Sequence, residues 1–451
     1  MIITGRPPTT ISGLSGAFTL GDFLELVGHQ IRYTNDYESY ATKDFSASGS
    51  KVQTTTVGTI NAGTTVIPVA SVTSFAQSQG ISIVGAGTGG IDHLTTIASV
   101  STGNSTITLN VATVTTITTG KTVYHDDTIA LNNQVNDTNV KTAYTGVGDF
   151  IISSPVATTS PADITTEAII KFQKAGRTLV GANQVLPWTT IFDSYTPALS
   201  TIWVRNASKL GIHLGSSGTN VKNLTMRPHT SVSAMTGGYF IGVGVQSDGY
   251  TVYESGFTNK TRDHAIENVY MHSPYSGIAA WQEHQLYIHR TGVLSALNYG
   301  LHVNRKVPYG GDDFESFIGA SIGGGSLTGA GSCIYVEKSD WNRYGYIHAN
   351  ACKYGFRHNL GTASSDGQQL VQLLVVDQLT TGGYGIYIDG AQTQVLPDIF
   401  DMVRIFALNG IGSWYLGVKS VKNILKTGFT SSGGTNTNTG TGNDVSGILI
   451  V

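Results

Sequence analysis

Only 12% of the 451 residues are charged and the formal net charge is −3, which leaves no electrostatic footprint for nucleic acid. Disorder is excluded as well, because 40% of the residues are hydrophobic and 56 glycines supply turns between short apolar runs. No stretch approaches the ~18 consecutive apolar residues of a membrane span, so membrane insertion is not expected.

In chain order, residues 1–41 hold one patch of helical character at 20–27, and the opening MIITGRPPTT has no apolar run fit for a signal peptide. Residues 51–124 alternate Thr with Val or Ile through 64–69, 81–84 and 106–111. That period of two belongs to half-buried antiparallel strands and predicts a small β-domain. The stretch 125–135, HDDTIALNNQV, then reads as a helix start. Asp126, Asp127 and Thr128 offer side-chain oxygens to the unpaired N–H groups of a first turn, and two carboxylates suit the positive end of the helix dipole. Asn132, Asn133 and Gln134 are only fair helix formers, so the helix must be held by packing on something larger. Short β-rich runs follow at 148–152, 169–172, 177–182 and 189–192.

From about Ile202 a small residue followed by an apolar one recurs: Gly277-Ile278, Gly300-Leu301, Cys333-Ile334, Gly355-Phe356, Gly385-Ile386 and Gly410-Ile411, in steps of 23, 33, 22, 30 and 25 residues. The shorter steps suit one coil of a solenoid, and the longer ones imply loops bulging from it. Partner strands fall between the markers at 266–270, 285–288, 317–322, 346–349, 370–376 and 402–406. Residues 428–442, rich in Gly, Thr, Ser and Asn, read as an exposed loop before a final apolar strand at 448–451. Such a strand is safer docked on its own stack or on a neighbouring subunit than left in water. Cys333 and Cys352 are too few for a disulfide framework and have no metal-ligand spacing, so both are expected as buried thiols.

Several of these segments, in this order, carry a resemblance: Asp126-Asp127-Thr128, then Gly148-Asp149-Phe150-Ile151-Ile152, then Arg177-Thr178-Leu179-Val180-Gly181-Ala182, then Thr189-Thr190-Ile191-Phe192. They resemble the opening of pectate-lyase-like right-handed parallel β-helices, especially those of phage tailspikes and related polysaccharide depolymerases. The family's Lys-Asp-Phe-Gly-Ala-like segment corresponds to Lys43-Asp44-Phe45-Ser46-Ala47-Ser48-Gly49, with Ser46 where the family usually has Gly. The resemblance covers about residues 42–192. It implies an all-β fold, a right-handed parallel β-helix with a short N-terminal capping helix and a small inserted β-domain. The expected organisation is an N-terminal segment at 1–41 for virion attachment, the start of the β-helix at 42–124 with its insert at 51–124, the capping helix and β-helix at 125–427, and a tail with terminal strand at 428–451.

Glycoside hydrolysis needs two carboxyl groups, about 5–5.5 Å apart for retention or about 6.5–9.5 Å for inversion. A parallel β-helix can supply them from alternate residues of one strand or from adjacent coils. The densest acidic group is Asp312, Asp313 and Glu315, in the long step between Leu301 and Ile334, where Asp313 and Glu315 would share a face. Glu337 and Asp340 form a second choice one coil on. Tyr309, Trp341, Tyr344 and Arg305 are the candidate sugar contacts, since aromatic faces stack on the C–H faces of sugars while polar groups take hydroxyls or uronates. Bland alternatives stay open: the carboxylates as turn caps, and Trp341 and Tyr344 as core. His272, His284, His289, His302 and His348 show no metal pattern and read as neutral hydrogen-bonding residues. Cations near His302, at Arg305 and Lys306, leave room for a lyase, in which a cation steadies a carboxylate while a base removes the adjacent proton.

The resemblance implies a phage tailspike or tail fibre that binds host surface polysaccharide and cleaves it internally, located in the virion tail and acting at the host cell surface. Its expected partners are that polysaccharide, two further copies of itself in a homotrimer, and other tail or baseplate proteins, with no cofactor and no metal. The rival readings are a non-enzymatic receptor-binding or structural spike, and a bacterial or prophage-borne carbohydrate enzyme.

Overall fold

Short β-rich runs one coil apart can satisfy their backbone groups only by pairing with the equivalent run in the next coil. The computed structural model, which describes residues 38–154, 168–182, 200–244, 261–281, 283–304, 316–319, 331–338, 342–360, 368–377, 379–394, 396–406, 412–420, 422–431 and 436–450, has this arrangement. Among the described residues, a 16-stranded sheet runs from Glu38–Tyr40 to Ile448–Ile450. A 10-stranded sheet runs from Ala168–Lys171 to Thr437–Asn438. From Ala168 onward the chain visits the two largely in alternation, and neighbouring strands are parallel, so it winds as a parallel β-helix.

The small–apolar markers stack in register. Ile278 pairs with Leu301, Leu301 with Ile334, Ile334 with Phe356 and Phe356 with Ile386. Their side chains form one inward column of the core, facing Ile347, Leu374 and Val403 of the long sheet. The small residue is required where coils crowd: a Cβ on Gly355 would lie 2.6 Å from the Val376 side chain and 2.7 Å from the Gly385 carbonyl oxygen. Gly410-Ile411 lies outside the described residues, and Trp414 takes the place opposite Ile386. The patch 20–27 and the run 189–192 also lie outside them.

A polar ladder runs beside the apolar column at the start of the long sheet's strands. Asn342 donates to Gln369 Oε1 at 2.8 Å, and the backbone N–H groups of Gln369, Asp398 and Asn423 donate to side-chain oxygens of Asp398, Asn423 and Asn443 at 3.1, 2.7 and 2.8 Å. From Asp398 onward each rung hands its side-chain oxygen to the backbone of the coil before it. Buried polar groups are thereby satisfied at a turn where the sheet hydrogen bonds stop.

At the N-terminal end the helix Thr128–Asn136 lies across the first coil. Its capping differs from the sequence expectation. Asp126 Oδ1 does accept the Thr128 N–H, at 3.1 Å. Asp127 occupies the N-cap position, yet its carboxylate turns away to accept the backbone N–H groups of Ser48, at 2.5 Å, and Ile151, at 3.2 Å. Thr128 Oγ1 likewise accepts the Ser153 N–H, at 3.0 Å. These oxygens join three chain segments because the unpaired donors of neighbouring segments lie closer to them than those of the helix. The segment 43–49 thus meets the Asp127 turn directly although some seventy residues separate them in sequence. Ser46, where the family has Gly, sits at φ 57, a left-handed conformation that explains the usual glycine.

The intervening chain forms a 6-stranded antiparallel sheet, including Val66–Pro68, Gly80–Ile83, His93–Ser101 and Thr106–Leu109, over its own cluster of Ile67, Ile81, Ile83, Ile97, Ile107 and Val123. Arg205 of the β-helix clasps it, pairing with Asp92, donating to Ser82 Oγ at 2.8 Å and lying 4.2 Å over the Tyr124 ring. The tail corrects the loop reading. Gly428–Ser431 and Thr437–Asn438 are strands, and Ile448–Ile450 pairs in parallel with the first of them. Both cysteines are buried free thiols.

Burial raises the Asp127 pKa to about 7 and also raises that of Asp126. An unfolded Asp ionises near pH ~4, so across this window the folded state binds the extra proton and stability falls as pH rises from about 4 to about 7. Asp127→Asn should flatten that slope in denaturant titrations. Asp127→Ala, which orphans two backbone donors, should cost about 2–4 kcal/mol.

Candidate carbohydrate-binding face

The residue after each marker points outward from the 10-stranded sheet. His302, Tyr335, Arg357, Tyr387 and Tyr415 therefore stand in one row, one per coil. Tyr299, Tyr354 and Tyr384 flank that row three residues earlier on their strands. Because coils repeat at ~4.8 Å, rings on successive coils fall within stacking distance. Tyr299 and Tyr335 stack at 4.8 Å between centroids, His302 and Tyr335 at 5.1 Å, and Tyr387 and Tyr415 at 4.7 Å. Tyr354 meets Tyr387 at 5.0 Å and Tyr384 meets Tyr415 at 5.5 Å. Towards the N-terminal side Tyr239 continues the chain onto Trp281, edge to face at 5.8 Å. The result is a continuous aromatic ribbon along the outer face of the sheet, most of its tyrosines half-buried.

Charges are set into this ribbon. The Arg357 guanidinium lies 4.9, 5.0 and 5.8 Å from the rings of Tyr335, Tyr354 and Tyr387, distances at which a cation is attracted by aromatic faces. The Tyr239 hydroxyl lies 2.6 Å from His302 Nδ1, and His302 Nε2 lies 3.2 Å from Glu337 Oε2. The tautomer that satisfies both contacts has Tyr239 donating to Nδ1 and the Nε2–H donating to the carboxylate. Asn359 Nδ2 donates to the Tyr335 hydroxyl at 3.1 Å. Desolvation and then the neighbouring carboxylate push the Tyr335 and Tyr387 phenols up, Tyr335 beside Glu337 and Tyr387, to about 12, beside Asp389. The ribbon therefore presents protonated hydroxyls and apolar ring faces together at neutral pH.

Of the sequence candidates, Glu337 belongs to this face, with its side chain 31% exposed. Tyr344 does not. It is 0% exposed, packs edge to face on Phe356 and gives its hydroxyl proton to Gln369 Oε1 at 3.0 Å, so the expectation of a sugar contact is corrected in favour of core packing. Asp312, Asp313, Glu315, Tyr309, Arg305, Asp340 and Trp341 lie outside the described residues. The sequence reading missed Tyr335, Tyr354, Tyr387 and Tyr415. Their signal was present as the residue following each marker, which becomes a row only once the register is known. Among the described residues no group of three or more metal-ligating side chains occurs, and no described helix is long and apolar enough to cross a membrane.

No family model matches the chain, and no curated protein matches it. Among solved structures it is similar to the catalytic domain of a GH87 alpha-1,3-glucanase in complex with nigerose, at 11% identity and a TM-score of 0.36, over 88% of this chain and 89% of that one. It is also similar to the tailspike protein gp49 from Pseudomonas phage LKA1, at 10% identity and a TM-score of 0.22, over 85% of this chain and 66% of that one. Likeness this distant assigns no chemistry.

Tyr344→Ala should destabilise by about 3–5 kcal/mol as a core truncation. Binding of any ligand by the folded fraction should be unchanged, which calorimetry beside a binding titration would check.

Proposed function

We propose that the chain is a polysaccharide-binding spike of a phage tail that holds host surface glycan along the outer face of its 10-stranded sheet and cleaves it internally. The aromatic ribbon is the observation that carries this reading. Sugar rings present apolar C–H faces that stack on tyrosine, and their hydroxyls suit Arg357, Asn359 and the phenols. A row repeated coil by coil suits a polymer better than a small molecule. The motifs at 43–49 and 126–182, which resemble those of right-handed pectate-lyase-like tailspikes, support the virion setting at the host surface. The non-enzymatic receptor-binding spike is the rival, and the same ribbon would serve it.

Assembly as a homotrimer is part of the reading. On the outer face of the long sheet Tyr346, Leu373 and Met402 stand in register, with Tyr346 39% and Met402 46% exposed. Leu370 and Ile399 pair in the same way. Parallel sheets are rarely left with an apolar face in water, and cyclic symmetry lets one such patch close on further copies without propagating into filaments.

Three measurements test the proposal. Incubation with purified capsule or O-antigen should lower polymer size, and the double change Tyr387→Ala with Tyr415→Ala should weaken binding at least about tenfold, or about 1.4 kcal/mol, with melting little changed. Unaltered binding in that variant would remove the ribbon from the site. Light scattering should give three times the 47.6 kDa chain mass, and Met402→Lys should lower it. A stable monomer at micromolar concentration would dismiss the trimer.

A further inference from the structure

We infer that the ribbon takes an acidic polysaccharide whose carboxylate-bearing sugars stand singly between neutral ones, with Arg357 holding the carboxylate, an inference that rests on the ribbon's being a sugar platform. Arg357 stands on the middle strand of the ribbon, Cys352–Leu360, in the outward row between Tyr335 and Tyr387. The rings of Tyr335, Tyr354 and Tyr387 surround its guanidinium at 4.9, 5.0 and 5.8 Å. Its Nε is buried with no hydrogen-bond partner among the described residues. The residue as a whole is only half-buried, so the two Nη groups at its tip are what reach the surface.

The carboxylates on the two neighbouring coils turn away from this guanidinium. Glu337, one coil before, reaches back a further coil to His302 Nε2 at 3.2 Å and also meets the Tyr335 hydroxyl. Asp389, one coil after, points forward, where its carboxyl group fills the place that a Cβ on Gly417 would need. A second cation stands on the same strand as Arg357: Lys353 Nζ lies 5.5 Å over the Tyr354 ring. Among the described residues neither Arg357 nor Lys353 is ion-paired. The middle coil of the ribbon therefore carries two positive charges held by aromatic faces alone.

Stripping water from a guanidinium costs free energy that ring faces offset only in part. An incoming carboxylate offsets more, because its two oxygens match the two Nη groups end-on in charge-assisted hydrogen bonds. Sugar hydroxyls do not call for a permanent charge, and Asn359 and the phenols already serve them. The neighbouring carboxylates then set the spacing. Coils repeat at about 4.8 Å, so a second acidic sugar one coil to either side would meet Glu337 or Asp389 and be repelled. Those places suit neutral sugars. This disfavours a homopolymer of uronate and fits a repeat unit in which one acidic sugar lies between neutral ones.

The test uses the full-length protein and co-sedimentation with a panel of purified bacterial capsular and O-antigen polysaccharides, some neutral, some with uronate in the repeat unit and some with phosphodiesters, beside polygalacturonate. The wild type should bind a polymer with isolated uronates, and bind polygalacturonate at least about tenfold more weakly. Reducing the carboxyl groups of the bound polymer to alcohols, which needs no variant, should weaken binding about 10–100-fold. Arg357→Met, which keeps an aliphatic stem among the tyrosines, should lose as much on the native polymer and nothing further on the reduced one. Arg357→Lys should keep part of the affinity, and added salt should weaken binding of the native polymer more than of the reduced one. Binding of neutral polymers only, or indifference to carboxyl reduction, overturns the acidic ligand and leaves the ribbon standing. So does preference for a phosphodiester polymer displaced by inorganic phosphate. Equal loss in Arg357→Met on native and reduced polymer overturns the role of Arg357, and equal affinity for polygalacturonate overturns the single spacing. Absence of binding to the whole panel overturns the ribbon and the acidic ligand with it.

Discussion

A stack of parallel strands has an open edge at each end, and the hydrogen bonds that close the first edge are the condition for everything built above it. Asn132 and Asn136, one helical turn apart, do this for the 10-stranded sheet. Asn132 donates to the Ile169 carbonyl at 2.7 Å and accepts the Lys171 N–H at 3.0 Å, while Asn136 donates to the Lys171 carbonyl at 2.7 Å and accepts the Gln173 N–H at 2.8 Å. Gln134 ties the helix to the first two strands of the long sheet by donating to the Ser39 and Tyr144 carbonyls, at 3.0 and 3.1 Å. An uncovered edge of this kind would invite pairing with another chain. The weak helix formers in this segment are there for their side-chain amides, which imitate the peptide groups of a missing coil.

Once the first coil is fixed, each later one is templated by its predecessor, and this places the aromatic face. The inward column of Leu301, Ile334, Phe356 and Ile386 holds the register, and a slip of one residue would turn His302, Tyr335, Arg357 and Tyr387 into the core. The ribbon is therefore as rigid as the core behind it. Side chains set on strands in this way keep their spacing without help from loops, which favours a surface that meets a long ligand with little ordering cost.

Much of the architecture was legible in the sequence because a repeated small–apolar pair is a direct consequence of stacking, and the segments around Lys43 and Asp126 preserve the grammar of the first coil. The face bearing Tyr335, Tyr387 and Tyr415 was not, for a physical reason. Coils of 22 to 33 residues hide an alignment that only hydrogen-bond register reveals, and tyrosine after an apolar residue is unremarkable in any strand-rich chain. Tyr344 shows the reverse error: an aromatic beside polar residues looked like a surface contact, but inward alternation and Gln369 provide for both its ring and its hydroxyl.

The ladder of Asn342, Gln369, Asp398, Asn423 and Asn443 bears on how such a rod responds to force. Each rung touches only its neighbours, so tension applied at one end opens the stack as a zipper, rung after rung, with the load on a few bonds at a time. Tension applied evenly across the coils is instead shared by every strand in parallel. A rod of this construction tolerates shear along a surface far better than peeling from its tip, and its toughness is set by which terminus is anchored.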